Sequence, residues 1–121
     1  MTFIASLALL AATLHSQATV PGAGAEQPAL SLDQGMVLRC SAAIAIAAHG
    51  QDRGDAVMRA WPDLRQSGRE FFVRSSARLM DEAGLDRAAI TALMQDEARS
   101  LREEGTLQAV MPVCLTLLPR Q

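Results

Sequence analysis

"REFFVRSSARLMDEAG", Arg69 to Gly84, holds two of the chain's three Phe residues together with Arg69, Arg74 and Arg78. It is either a recognition site with exposed aromatics and guanidiniums, or the best-buried helix of a small bundle. At about 100° per residue, Glu70, Arg74, Arg78 and Glu82 form a charged ladder on one face of a helix. Phe72, Leu79 and Ala83 fall on the opposite face, with Gly68 and Ser76 beside them. Aromatics and charges therefore point apart, and the spacing predicts a core helix that Gly84 ends. Phe71 lies at the border between the faces, so Glu70, Phe71, Arg74, Arg78 and Glu82 are the surface on which a partner would be met.

The flanking sequence extends this helical reading in both directions. Downstream, Leu85 and Ile90 flank Asp86 as a hydrophobic staple flanks an N-cap. The apolar positions Ile90, Leu93, Met94 and Leu101 then predict a helix over 86–104, closed by Gly105. Arg99 has Asp96 at i−3 and Glu103 at i+4 as surface partners, each worth a few tenths of a kcal/mol. Thr106 is placed to cap a last helix, "LQAVMPVCLTLL", over 107–118, in which Pro112 either kinks the helix or marks its true start.

Upstream, Pro62 suits a first helical turn, which gives a second helix over 62–83, and Gly68 inside it signals close packing or a break. Residues 50–61 hold two glycines and at most one helical turn, from Asp55 to Ala60. "SLDQ", residues 31 to 34, is a capping box, and Val37, Cys40, Ile44 and Ala47 recur at helical spacing behind it. That first helix is expected over 31–49, with His49 near the negative end of its dipole and Gly50 at C′. "SAAIAIAA" is short in side chain, so a neighbour can come close. No strand-like alternation occurs, and the expected fold is an all-α four-helix bundle with helices over 31–49, 62–83, 86–104 and 107–118.

Residues 3 to 14, "FIASLALLAATL", are uncharged and span only about 18 Å as a helix, against roughly 30 Å for a bilayer core. They suit the apolar region of a signal peptide, with small residues at Ser16/Ala18 and Ala23/Ala25 fitting cleavage after Ala18 or Ala25. The n-region has no Lys or Arg, and the competing reading is an apolar first helix retained in the mature fold. The domain plan is therefore a signal peptide over 1–25, a flexible leader over 26–30 and one helical domain over 31–121. Such a chain is periplasmic or secreted, with no stable membrane span after cleavage.

Net charge is −2, and all eleven Lys-plus-Arg residues are Arg, without the clustered basic surface that nucleic acid requires. A domain this small is marginal on burial alone. Its two cysteines, Cys40 and Cys114, lie near the two ends of the folded part and in an oxidising compartment most simply pair. Closing a loop of about 75 residues restricts the unfolded chain by about 4 to 5 kcal/mol in the entropy model.

Chemistry is sparse. "HGQDRGD" gathers His49, Asp52 and Asp55, too few ligands in too loose a frame for a metal, and it lacks the pattern of a calcium loop. A Ser–His–acid arrangement would have to use His49, and no nucleophile elbow surrounds any Ser. Asp81/Glu82, Asp96/Glu97 and Glu103/Glu104 are neighbours on helix surfaces instead of carboxylates facing across a cleft. No catalytic, metal or cofactor-binding residue is assigned, and no cofactor is expected. Met36, Met58, Met80, Met94 and Met111 are assigned chiefly to core filling, although methionines also line adaptable grooves.

A Cys in the first helix, "GREFFVRSSARLMDEAG", a charged third helix and "VMPVCLTLL" resemble uncharacterised small exported all-helical proteins of Gram-negative bacteria with one Cys pair. The resemblance covers roughly Arg39 to Leu118 and implies no activity. In plan the chain is also similar to periplasmic acid-stress chaperones, which are small, helical and stapled by one disulfide. The function expected is a non-catalytic interaction or accessory module with an unknown protein partner. The alternatives are a stress-type chaperone or inhibitor, and a small metal-assisted enzyme.

Overall fold

The computed structural model describes residues 29–120. The expected signal peptide, 1–25, and residues 26–28 of the leader lie outside them. Four α-helices follow one another, α1 (Leu32–Asp52), α2 (Ser67–Ala83), α3 (Arg87–Glu103) and α4 (Leu107–Leu115), with a 3-10 turn at Met58–Ala60 between the first two. Among the described residues there is no strand.

The hub of the bundle is α1. Between Cys40 and Ala48 it carries no charge, and a helix that is apolar all round is stable only when surrounded. Accordingly Cys40, Ser41, Ala42, Ala43 and Ile44 are buried in unbroken succession, which a helix packed on one side cannot achieve. The other three helices each pack on α1, whereas α2 and α3 touch one another only lightly. This corrects the expectation for residues 69–84: the best-buried helix is α1, and α2 fully buries only Gly68, Ser75 and Leu79.

At its N-terminus α1 has the expected capping box, with Ser31 Oγ accepting from Gln34 N–H and Gln34 Oε1 accepting from Ser31 N–H. Its end differs from expectation, because Gly50 lies inside the helix and the C′ glycine is Gly54, at φ +79°. The Gly54 and Asp55 amides donate to the carbonyls of Gln51 and Gly50, the paired pattern of a Schellman cap. Gly50 serves packing instead. A Cβ there would lie 2.5 Å from Met58 Cγ.

The added turn brings Gln51 into the interior, and its amide organises the chain that follows. Gln51 Nε2 donates to the carbonyls of Met58 and Pro62, both at 2.9 Å, and Oε1 accepts from the buried Leu64 N–H at 2.8 Å. Asp55 Oδ1 accepts from the Val57 and Met58 amides and so starts the 3-10 turn within the span where one turn was expected. Because Leu64 N–H is held by Gln51, residues 62–66 are not helical, and α2 starts at Ser67 instead of Pro62.

Gly68 then lies directly on α1, where a Cβ would come within 2.9 Å of Ile44 Cγ2. With Ser75 and Leu79 it marks the contact line of α2, rotated roughly 40° toward Phe71 from the predicted line through Phe72 and Ala83. The closest approach of two helices is made by the smallest side chains, and the large apolar ones flank it. Phe72 is thereby only half-buried.

α3 keeps the expected cap, Asp86 accepting from Ala89 N–H, and the expected buried stripe of Ile90, Leu93, Met94 and Leu101. It closes at Gly105, φ +65°. Arg99 pairs with Asp96 at 3.1 Å. Thr106 precedes α4 but makes no side-chain cap; its hydroxyl accepts from Arg39, whose other terminal nitrogen donates to Glu97. Pro112 lies inside α4, which ends at Leu115 and not at 118, the chain passing into a turn. Cys40 of α1 and Cys114 of α4 are disulfide-bonded, Cα atoms 5.0 Å apart and both buried.

Candidate functional site

α2 and α3 lean on α1 without closing over it, and a trough runs between them. Each wall is one helical face. On α3 the lining residues Arg87, Ile90, Met94, Ala98 and Arg102 recur at spacings of three and four. On α2 the wall is Phe72, Val73, Ser76, Ala77 and Met80. The floor, toward one end, is α1's Ala42, Ala45 and Ile46, with His49 beyond them. Two spaces of about 500 and 490 Å³ make up the trough and share Phe72, Met94 and Gln95.

The lining is apolar along its length and charged only at intervals. Its ionisable side chains are Arg87, Arg99, Arg102 and His49, so every full charge on it is positive although the chain as a whole is acidic. Arg99 shares its charge with Asp96. Arg87 and Arg102 form no ion pair among the described residues. Val73, 62% exposed, is an apolar side chain standing on the α2 rim. Ser76 Oγ is buried in that wall and has no hydrogen-bond partner among the described residues, a polar group with unused capacity.

Of the partner surface expected from sequence, the fold gathers Phe71, Arg74 and Arg78 around one hollow and leaves Glu70 and Glu82 outside its lining. Glu70, Arg74, Arg78 and Glu82 are all exposed. The ladder is partly tied to its own chain: Arg78 Nε donates to Glu82 at 2.7 Å, and its guanidinium lies 3.8 Å from Asp33 of α1. The Glu82 hydrogen bond and charge, with Asp33 adding to them, hold the Arg78 guanidinium charged more firmly than usual. Phe71 is half-buried and, with Arg74, Arg78, Val37, Leu117 and Pro119, lines a separate hollow away from the trough.

His49 and Asp52 both belong to the last turn of α1, which runs past the expected end at 49, and Asp55 is occupied as a cap. Among the described residues no three His, Cys, Asp or Glu side chains gather as a metal site. The shifted ionisation of Asp63 is also structural. Hydrogen bonds from the Arg65 side chain and amide hold its carboxyl well below the usual carboxylate range on an open surface. Of the methionines, Met94 and Met111 are buried, Met58 and Met80 half-buried, and Met36 is exposed; Met80 and Met94 lie on opposite walls of the trough.

Sequence reasoning missed the trough. Its signal was present in α2, where Val73, Ala77 and Met80 at i, i+4 and i+7 form a second apolar stripe beside the one led by Phe72. One helix with two apolar stripes has more apolar surface than a single neighbour covers. No family model, curated protein or solved structure matches the chain. Among the described residues no helix is long and apolar enough to cross a membrane.

Proposed function

We propose that the protein is an exported, non-catalytic helical module that binds another protein through the trough between α2 and α3. The observation that carries the reading is the match of the three lining faces to one another. α3, α2 and the floor of α1 each offer a stripe at helical spacing, as they would to a missing member of the bundle. Export is supported by the sequence of residues 3–25 and by the Cys40–Cys114 bond, of a kind that forms and persists chiefly in oxidising compartments. A binding role is favoured over catalysis because the lining offers small apolar residues, two methionines and separated arginines, with no nucleophile beside a base.

Two variants test this. Val73→Glu with Ala77→Glu fills the rim with bulk and charge at exposed positions, so the fold should keep its melting temperature. Wild-type and variant protein are tagged at the C-terminus and recovered from the native host. The expected result is a stoichiometric protein partner on the wild type, lost from the variant, with mature protein in the periplasmic or culture fraction. A partner retained by the folded variant, or the bulk of the protein in the cytosol with its leader intact, contradicts the proposal.

A further inference from the structure

We infer that the partner element is an acidic amphipathic α-helix of about four turns, docked lengthwise in the trough. This rests on the trough being a binding surface, as proposed above. From Arg87 to Arg102 along α3 there are fifteen residue steps, so the wall is about 22 Å long. A helix of about fifteen residues matches it. An extended strand would present side chains in alternation, to which three stripes at three-and-four spacing offer no register. An acyl chain needs enclosure on most of its surface, whereas this space is open along one side, with exposed Val73 on its rim.

Close approach of a guest helix is allowed at the floor by half-buried Ala45, which presents only a methyl group. Ile90 and Met94 on one wall and Phe72 and Met80 on the other take the larger side chains of its apolar face. The flexible methionines adapt to their shapes. Charge fixes the sign of the guest. Arg87 stands at one end and Arg99 and Arg102 at the other, with His49 nearby, so carboxylates near both ends of the guest meet guanidiniums. The chain's own leader does not fit that description, since residues 3–14 are apolar and no acidic residue precedes Glu26.

The probe is a displayed library of helical peptides of fixed length. Apolar residues occupy i, i+3, i+4 and i+7, and the flanking positions are drawn equally from Glu, Gln and Lys. Selection is run on the exported protein and on Val73→Glu with Ala77→Glu. Sequences enriched on the wild type alone should carry Glu at the flanks toward both ends. Arg87→Glu with Arg102→Glu, both exposed positions, should weaken the selected peptides by roughly ten-fold or more and move the enrichment toward Lys. Neutral or basic winners, winners indifferent to the charge reversal, or no trough-dependent winner would each overturn the inference. So would a synthetic peptide of residues 3–14 outcompeting the acidic winners. If the native partner is lost from the Val73→Glu, Ala77→Glu variant but acidic helices are not selected, the binding module stands and only the class of partner is wrong.

Discussion

Replacing Gln51 by Ala should unfold the protein more readily than any other single polar substitution. Its side chain makes three well-formed hydrogen bonds to main-chain groups, at 2.9, 2.9 and 2.8 Å, while remaining 7% exposed. Each is worth about 1 kcal/mol net, and the buried Leu64 N–H is the group most costly to leave without its partner. The sum is about 3 kcal/mol. For a domain of this size that is a fall in melting temperature of about 12 to 24 °C. Gln51→Leu keeps the volume and removes the bonds, so it should be similarly unstable. Thermal and urea unfolding followed by far-UV circular dichroism give the stability, and hydrogen exchange at the Leu64 amide gives the local effect. A loss below about 1 kcal/mol, or undiminished protection of the Leu64 amide, would refute the assignment of Gln51 as organiser of residues 53–66.

Three further outcomes follow from the packing. Cys40→Ser with Cys114→Ser should cost about 2 to 5 kcal/mol in unfolding free energy, and reduction and alkylation of the protein purified under non-reducing conditions should expose two thiols where the untreated protein has none. Gly68→Ala should destabilise by about 1 to 3 kcal/mol, because its Cβ would press on the fully buried Ile44 from 2.9 Å. Gly35→Ala, with nothing within 4 Å, should stabilise by about 0.5 to 1 kcal/mol, and urea denaturation distinguishes the two signs.

The helices were legible where a local signal sufficed. The capping box at Ser31 and Gln34, the cap at Asp86 and the stripe from Ile90 to Leu101 all depend on residues within a few turns of one another. The pairing of Cys40 with Cys114 was legible from compartment chemistry and loop length. The end of α1 was misjudged because Gly50 and Gly54 offer the same local signal, and Gln51, which decides between them, acts on residues as far away as Leu64. The start of α2 fails for the same reason, since Pro62 permits a helix that the Gln51 contacts forbid.

The centrality of α1 was written in "CSAAIAIAA", a charge-free run that no one-sided stripe explains. The candidate site was the least legible part. A trough belongs to the angle between α2 and α3, and sequence fixes the faces of each helix but not how far apart two faces stand. The ladder of Glu70, Arg74, Arg78 and Glu82 drew attention through its charge, while the trough wall on the same helix is made of Val73, Ala77 and Met80.

Site-specific photo-crosslinking in the native host tests the trough most directly. A benzophenone side chain is placed at Val73, and in separate proteins at Leu32 and Val57, which are 90% and 54% exposed and stand outside the trough. The account predicts one adduct of defined mass from Val73, mapping to an acidic helical segment of another protein, and none in common from Leu32 or Val57. The same adduct from all three positions, or from Leu32 or Val57 but not Val73, would contradict it.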